Sequence, residues 1–150
     1  MSIRNITDQI KVTRALVGTT TATSQQDGVT LDMAADGGYD GVIFFGNGIT
    51  TANAGNYVQV QQGMASGMGD AATIAGSRAT AVANGDYLQI NIPKLTERYV
   101  RINVIRAGAT TATTDMYAVQ YRAGGQLPIL QTGTNRVITQ VAPGYVEGTP

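Results

Sequence analysis

From Tyr99 to Arg106 the chain reads Tyr-Val-Arg-Ile-Asn-Val-Ile-Arg, with the apolar residues Val100, Ile102 and Val104 on every second position. A helix has a period of 3.6 and cannot gather such a set on one side, whereas a strand sends alternate side chains to opposite faces. The stretch reads as a half-buried strand with Tyr99, Arg101 and Asn103 on its other face. Asp115 to Tyr121 alternates too, with Tyr117, Val119 and Tyr121 opposed to Met116, Ala118 and Gln120. Joined by the small-residue run Ala107–Thr114, the two segments predict a hairpin from Glu97 to Tyr121 at the centre of a β-sheet core.

The same period recurs along the chain. Ile10–Val17 predicts a strand with Ile10, Val12 and Leu16 on one face, and Val29–Met33 a second. Val42–Phe45 is a continuous apolar run suited to a strand buried on both faces. Tyr57–Gln61, Ser77–Val82 and Tyr87–Ile92 follow, the last ended by Pro93, which cannot donate to a ladder. Turn chemistry separates them at Gln26-Asp27-Gly28, Asp36–Gly41 and Asn84-Gly85-Asp86. Only Asp70–Ala75 has helical character, and Gly69 and Gly76 confine it to about one turn. Three connections, Thr19–Thr23, Ile49–Ala54 and Ala109–Thr114, share paired Thr and Ala. The flanking strands do not recur at a fixed period, so this is loop chemistry rather than a fold repeat.

About eight short strands with regular turn signals predict an all-β protein, an antiparallel β-sandwich or jelly-roll-like single domain. One hundred and fifty residues suffice for one core, burying roughly 68–70% of the unfolded surface. The sandwich is expected over residues 10–122. Residues 1–9 read as an extended N-terminal arm and 123–150 as an extended C-terminal tail, which holds three of the four prolines.

The chain has no cysteine and no histidine. That removes disulfides, thiolate and imidazole zinc sites, and the Ser-His-Asp and Cys-His nucleophile sets. Carboxylates remain, but most Asp residues sit beside Gly or in turns, where they cap local backbone. No catalytic residue, metal or cofactor is expected, and the chain does not read as an enzyme. Asp36 and Asp40 around Gly37-Gly38 could face a calcium ion, but their spacing is not that of an EF-hand and an ordinary turn is favoured. Gly63–Asp70 lacks the Gly-Lys-Ser/Thr ending of a phosphate loop and reads as a flexible surface loop, or one that orders against a neighbour. Ten basic residues balance ten acidic ones, so nucleic acid is not an expected partner. No long apolar run or signal-peptide core is present, so no membrane association is expected and synthesis is assigned to the cytoplasm. Arg98, Arg101, Arg106 and Arg122 flank the expected hairpin. They suit either an anchoring patch for a partner's carboxylates or solvated strand ends pairing with Glu97 and Asp115, and the latter is favoured.

The order of residues carries a further signal. Leu31-Asp32-Met33 leads to Gly38-Tyr39-Asp40-Gly41-Val42-Ile43-Phe44. Val58-Gln59-Val60-Gln61-Gln62 leads to Ser66-Gly67-Met68-Gly69-Asp70-Ala71-Ala72 and Ile74-Ala75-Gly76. Arg98-Tyr99-Val100-Arg101 runs on to Tyr117-Ala118-Val119-Gln120-Tyr121. Over residues 8 to 130 this resembles the capsid decoration (cement) proteins of tailed bacteriophages. The resemblance implies a structural virion protein on the outside of an icosahedral head, made in the host cytoplasm, commonly a homotrimer, that clamps neighbouring major capsid subunits. The expected contact residues are Ile3, Arg4 and Ile6 of the arm, Met64 and Met68 of the Gly63–Gly69 loop, and Arg98 and Arg101. In the tail they are Leu127, Ile129, Leu130, Arg136, Val137 and Ile138. A tail or neck component of the same virion is the alternative. A carbohydrate-binding sandwich is a second, for which only Tyr39, Tyr57, Tyr87 and Tyr145 offer aromatic platforms.

Overall fold

A computed structural model of the chain describes residues 9–122 and the strand at 136–140, the latter without its side chains. The strands are β1 (Ile10–Leu16), β2 (Thr19–Ala22), β3 (Gln26–Asp27), β4 (Leu31–Asp32), β5 (Gly41–Gly46) and β6 (Asn56–Gly63). They continue as β7 (Ala72–Thr73), β8 (Tyr87–Ile92), β9 (Tyr99–Arg106), β10 (Thr111–Thr113), β11 (Met116–Tyr121) and β12 (Arg136–Gln140). One sheet has the order β1-β11-β5-β8-β12 and a second the order β3-β9-β6-β7, with β4 also on β9; β10 and β2 form a small third pair. The expected all-β antiparallel sandwich is what the chain forms, apart from β12, which runs parallel to β8.

Alternation explains the core. Val42 and Phe44 of β5, Leu88, Ile90 and Ile92 of β8, and Met116 and Ala118 of β11 point inward from the first sheet. Val58 and Val60 of β6 and Val100, Ile102 and Val104 of β9 meet them from the second, and all are fully buried. Each such aliphatic or aromatic side chain contributes roughly 1.5–3 kcal/mol on burial, so this apolar layer dominates the stability of the fold.

The faces of Tyr99–Arg106 and Met116–Tyr121 are as the alternation implies, but the two strands are not a hairpin. β9 pairs with β6 over eight registered positions, from Asn56↔Arg106 to Gly63↔Tyr99. β11 lies in the other sheet, between β1 and β5. Residues 107–115 cross between the sheets. Period two specifies which side chains are buried; it says nothing of which strand is the neighbour.

Other departures have local causes. The register of β1 against β11 shifts between Arg14 and Leu16, a bulge that turns Leu16 inward while Val12, opposite Val119, stays 59% exposed. Ile10, Val12 and Leu16 therefore do not share a face. The expected turn at Gln26–Gly28 is instead β3, paired with β9. Gly28 then donates to Ile102 O at 2.8 Å, and a Cβ there would lie 2.6 Å from Ile102 Cγ2. This close approach interrupts the edge, so only Leu31–Asp32 of the expected 29–33 strand pairs, and Val29 is 45% exposed. Val42–Phe45 is not buried on both faces: Val42 and Phe44 are, Ile43 and Phe45 only partly. Asp70–Ala75 forms no helix; Ala72–Thr73 pairs with β6 instead. Within Ser77–Val82 only Ala79 makes a bridge, to Val58. Arg136–Val141 was without an evident partner in the sequence, yet its first five residues register with Tyr87–Asn91.

Candidate functional site

Residues opposed in an antiparallel ladder share a face, so register gives the outer surface of each sheet. On the first sheet Val12, Val119, Ile43 and Asn91 form one row and Arg14, Tyr117, Phe45 and Gln89 the next. The Phe45 ring lies 6.0 Å from that of Tyr117 and 6.4 Å from that of Tyr87. Tyr117 is 39% exposed. At the end of the same strand Tyr121 donates to Asn91 Oδ1 at 3.2 Å, and burial pushes its phenol up to about 12. Arg14 lies at the margin, 3.5 Å from Asp115. The result is an adjoining aliphatic and aromatic surface on a sheet whose other side is already the core.

The second sheet differs. Its outward rows are Tyr57–Ile105, Gln59–Asn103 and Gln61–Arg101. Gln59 Nε2 donates to Asn103 Oδ1 at 3.0 Å, and Arg101 donates to Gln61 Oε1 at 2.9 Å while pairing with Asp27 at 3.0 Å. Arg78 stacks 4.0 Å over the Tyr57 ring. This face is polar and satisfied from within.

The contact residues expected from sequence are scattered. Met64 is 62% exposed, whereas Met68 is 4% exposed and φ +54 turns it back into its own loop. The loop is ordered internally, because the Asp70 carboxylate accepts the amides of Met64 at 2.8 Å and Ala65 at 3.2 Å, which hold its pKa below the usual range. Arg98 grips Asp32 through Nε at 3.0 Å and Nη2 at 2.8 Å, which draws that carboxyl down to about 2. The arginines Arg98 and Arg101 thus take Asp32 and Asp27, and Asp115 goes to Arg14. Ile3, Arg4, Ile6, Leu127, Ile129, Leu130 and Tyr145 lie outside the described residues, as do the side chains of Arg136, Val137 and Ile138.

Among the described acids, Asp36 and Asp86, like Asp70, are held structurally. Asp36 accepts from Lys11 Nζ and Tyr39 Oη, both at 3.0 Å, and the Lys11 bond lowers its pKa. Asp86 accepts the amides of Val82 and Ala83 at 2.8 Å. Among the described residues no three acids are placed to hold a metal. The aromatic platforms are engaged as well: Tyr39 lies under Arg122 at 5.4 Å, Tyr57 under Arg78, and Tyr87 against Phe45.

Two features escaped sequence reasoning. The three Thr- and Ala-rich connections meet at one end of the sandwich. Beyond the β10–β2 pair, Ile49 bridges Thr113, and Thr51 N donates to Thr111 Oγ1 at 2.9 Å. Asn56 Oδ1 accepts the amides of Gly108 and Ala109, both at 3.1 Å, and closes the cluster. Their shared composition was the available signal. At the opposite end Arg122 N donates to Gln9 O at 3.0 Å, so residues 9–122 start and end side by side. Comparison with protein-family models, curated proteins and solved structures gave no match.

Proposed function

We propose that this chain is a structural protein that attaches by one face to a larger protein assembly, of the kind its sequence resembles: a decoration protein bound to the outside of a phage capsid and stabilising contacts between major capsid subunits. The observation that carries the reading is the contrast between the two outer faces. A sandwich standing free in water presents polar residues outward on both sheets, since one face of each is already buried. Here the second sheet carries a hydrogen-bonded polar face, with Gln59 and Asn103 buried at its middle and Gln61 and Arg101 half-buried, while the first exposes Val12 and Tyr117 beside half-buried Ile43, Phe45 and Val119. Contiguous apolar surface of this kind marks an interaction site. One polar and one apolar face suit a protein seated on a surface with its far side in solvent.

Satisfaction of Asp27, Asp32, Asp36, Asp70 and Asp86 within the fold supports a non-catalytic role. The position of Gln9 beside Arg122 supports use of the N-terminal arm as an additional tie to the same assembly, including neighbouring copies in the trimer that the resemblance implies. The test is co-sedimentation with shells built from the major capsid protein of the virus or prophage encoding this chain. Val12→Glu and Tyr117→Glu alter exposed side chains and leave the fold intact. Each should lower shell occupancy at least about tenfold, the loss expected for burying an unpaired charge at an interface centre. A matched change at an exposed valine outside those rows, Val82→Glu, should leave occupancy unchanged. Full binding by both face variants would refute the assignment.

A further inference from the structure

Arg106 ends β9 beneath the Thr-rich connections and is 4% exposed. Among the described residues no carboxylate lies within ion-pair distance of it. Its acceptors are all neutral: Nη1 donates to Thr20 O at 3.4 Å and Thr111 O at 3.3 Å, and Nη2 to Thr19 Oγ1 at 3.0 Å and Gln26 Oε1 at 2.7 Å. Nε is buried and has no partner. Buried charges are ordinarily paired, because desolvation without a counter-ion is costly.

Nε and Nη2 form the side-on fork that a carboxylate fills with two parallel bonds. The same protein fills that fork on Arg98, where Asp32 takes Nε and Nη2 with its two oxygens. On Arg106 a single amide oxygen, Gln26 Oε1, takes Nη2 and leaves Nε empty. That oxygen also receives Thr113 Oγ1 at 2.7 Å.

The covering layer is weakly tied. The apolar core takes Leu16 and Leu31 but no residue between them, and Val104 and Met116 but no residue between them. Segments 17–30 and 107–115 are held by hydrogen bonds rather than apolar packing, the condition for opening at lower free energy than the strands. Opening also returns the guanidinium to water.

We propose that Arg106 is the receptor for a carboxylate carried by another chain, which enters as the Thr-rich layer lifts, displaces the Gln26 amide and accepts from Nε and Nη2 together. The inference does not depend on attachment through the first sheet. Its probes are acetate, a blocked tripeptide with an internal Glu, and a neutral tripeptide with a free C-terminal carboxylate, each against chloride at equal ionic strength. The peptide arms separate a side-chain source from a chain end. The readout is hydrogen exchange at Ala22, Thr111 and Thr113 in the full chain. With the layer closed again over the bound group, a carboxylate at ten times its dissociation constant should slow exchange there about tenfold. Gln26→Glu supplies the anion internally, so it should slow the same amides in chloride and abolish the response to acetate. Arg106→Met should also abolish it, and if that variant does not fold, Gln26→Glu carries the test. Equal exchange in carboxylate and chloride, or a response retained in Gln26→Glu, would overturn the proposal.

Discussion

Phe44 and Phe45 are adjacent in sequence and chemically identical, but the sandwich puts them in different environments. Phe44 is fully buried between the sheets, while Phe45 lies on the outer surface of the first, touching Tyr87 and Tyr117. Phe44→Ala opens a cavity in the core, which costs about 3–5 kcal/mol. For a domain of this size each kcal/mol lowers Tm by roughly 2–4 °C, so Tm should fall by about 6–20 °C. Phe45→Ala forfeits two tilted ring contacts, each about 0.5–1.5 kcal/mol, or about 1–3 kcal/mol together. Urea unfolding followed by far-UV circular dichroism, with equal m-values as the check that both transitions expose the same surface, gives the two costs directly. The expected order is Phe44→Ala well above Phe45→Ala. Equal costs, or a larger cost at Phe45, would mean that the faces of β5 have been assigned wrongly, and with them the candidate docking face.

Met68→Ala should cost about 2 kcal/mol or more, because a buried thioether is removed, whereas Met64→Ala at an exposed site should stay within about 0.5 kcal/mol; thermal melts decide this. The carboxyl of Asp32 is drawn down to about 2 by Arg98, so its contribution to stability is present above the ordinary carboxylate range and is lost as pH falls from about 4 through about 2. Asp32→Asn should flatten that part of the acid-unfolding profile, and an unchanged profile would exclude this pair as its source.

The legible part of this fold was its pattern of faces. Val100, Ile102 and Val104, and likewise Met116, Ala118 and Gln120, can be grouped on one face from period two alone, though that does not tell which face of the second strand turns inward. The partner of each strand was not legible, because two alternating segments joined by a short connection look the same whether they pair with each other or face one another across a core. The bulge at Arg14–Leu16 was equally silent: one unpaired residue reverses the faces on either side without changing composition. The candidate docking face emerged only when Val12, Val119, Ile43, Tyr117 and Phe45 were aligned by register from three separate strands. Recurrent Thr and Ala in three connections did carry information, but about mutual packing at one end rather than about repeats. The burial of Met68 and the unpaired charge of Arg106 depend on a positive φ and on a layer contributed by distant residues, neither of which has a local signature.

If the proposed function holds, cryo-electron microscopy of phage particles bearing this chain tests the central claim most directly, by the orientation of the sandwich on the shell. The account predicts density for the chain on the capsid exterior with Val12, Tyr117 and Phe45 turned toward the capsid subunits and Gln61 and Arg101 toward solvent. A chain seated through the Gln61–Arg101 face, or density confined to the tail or neck, would contradict it.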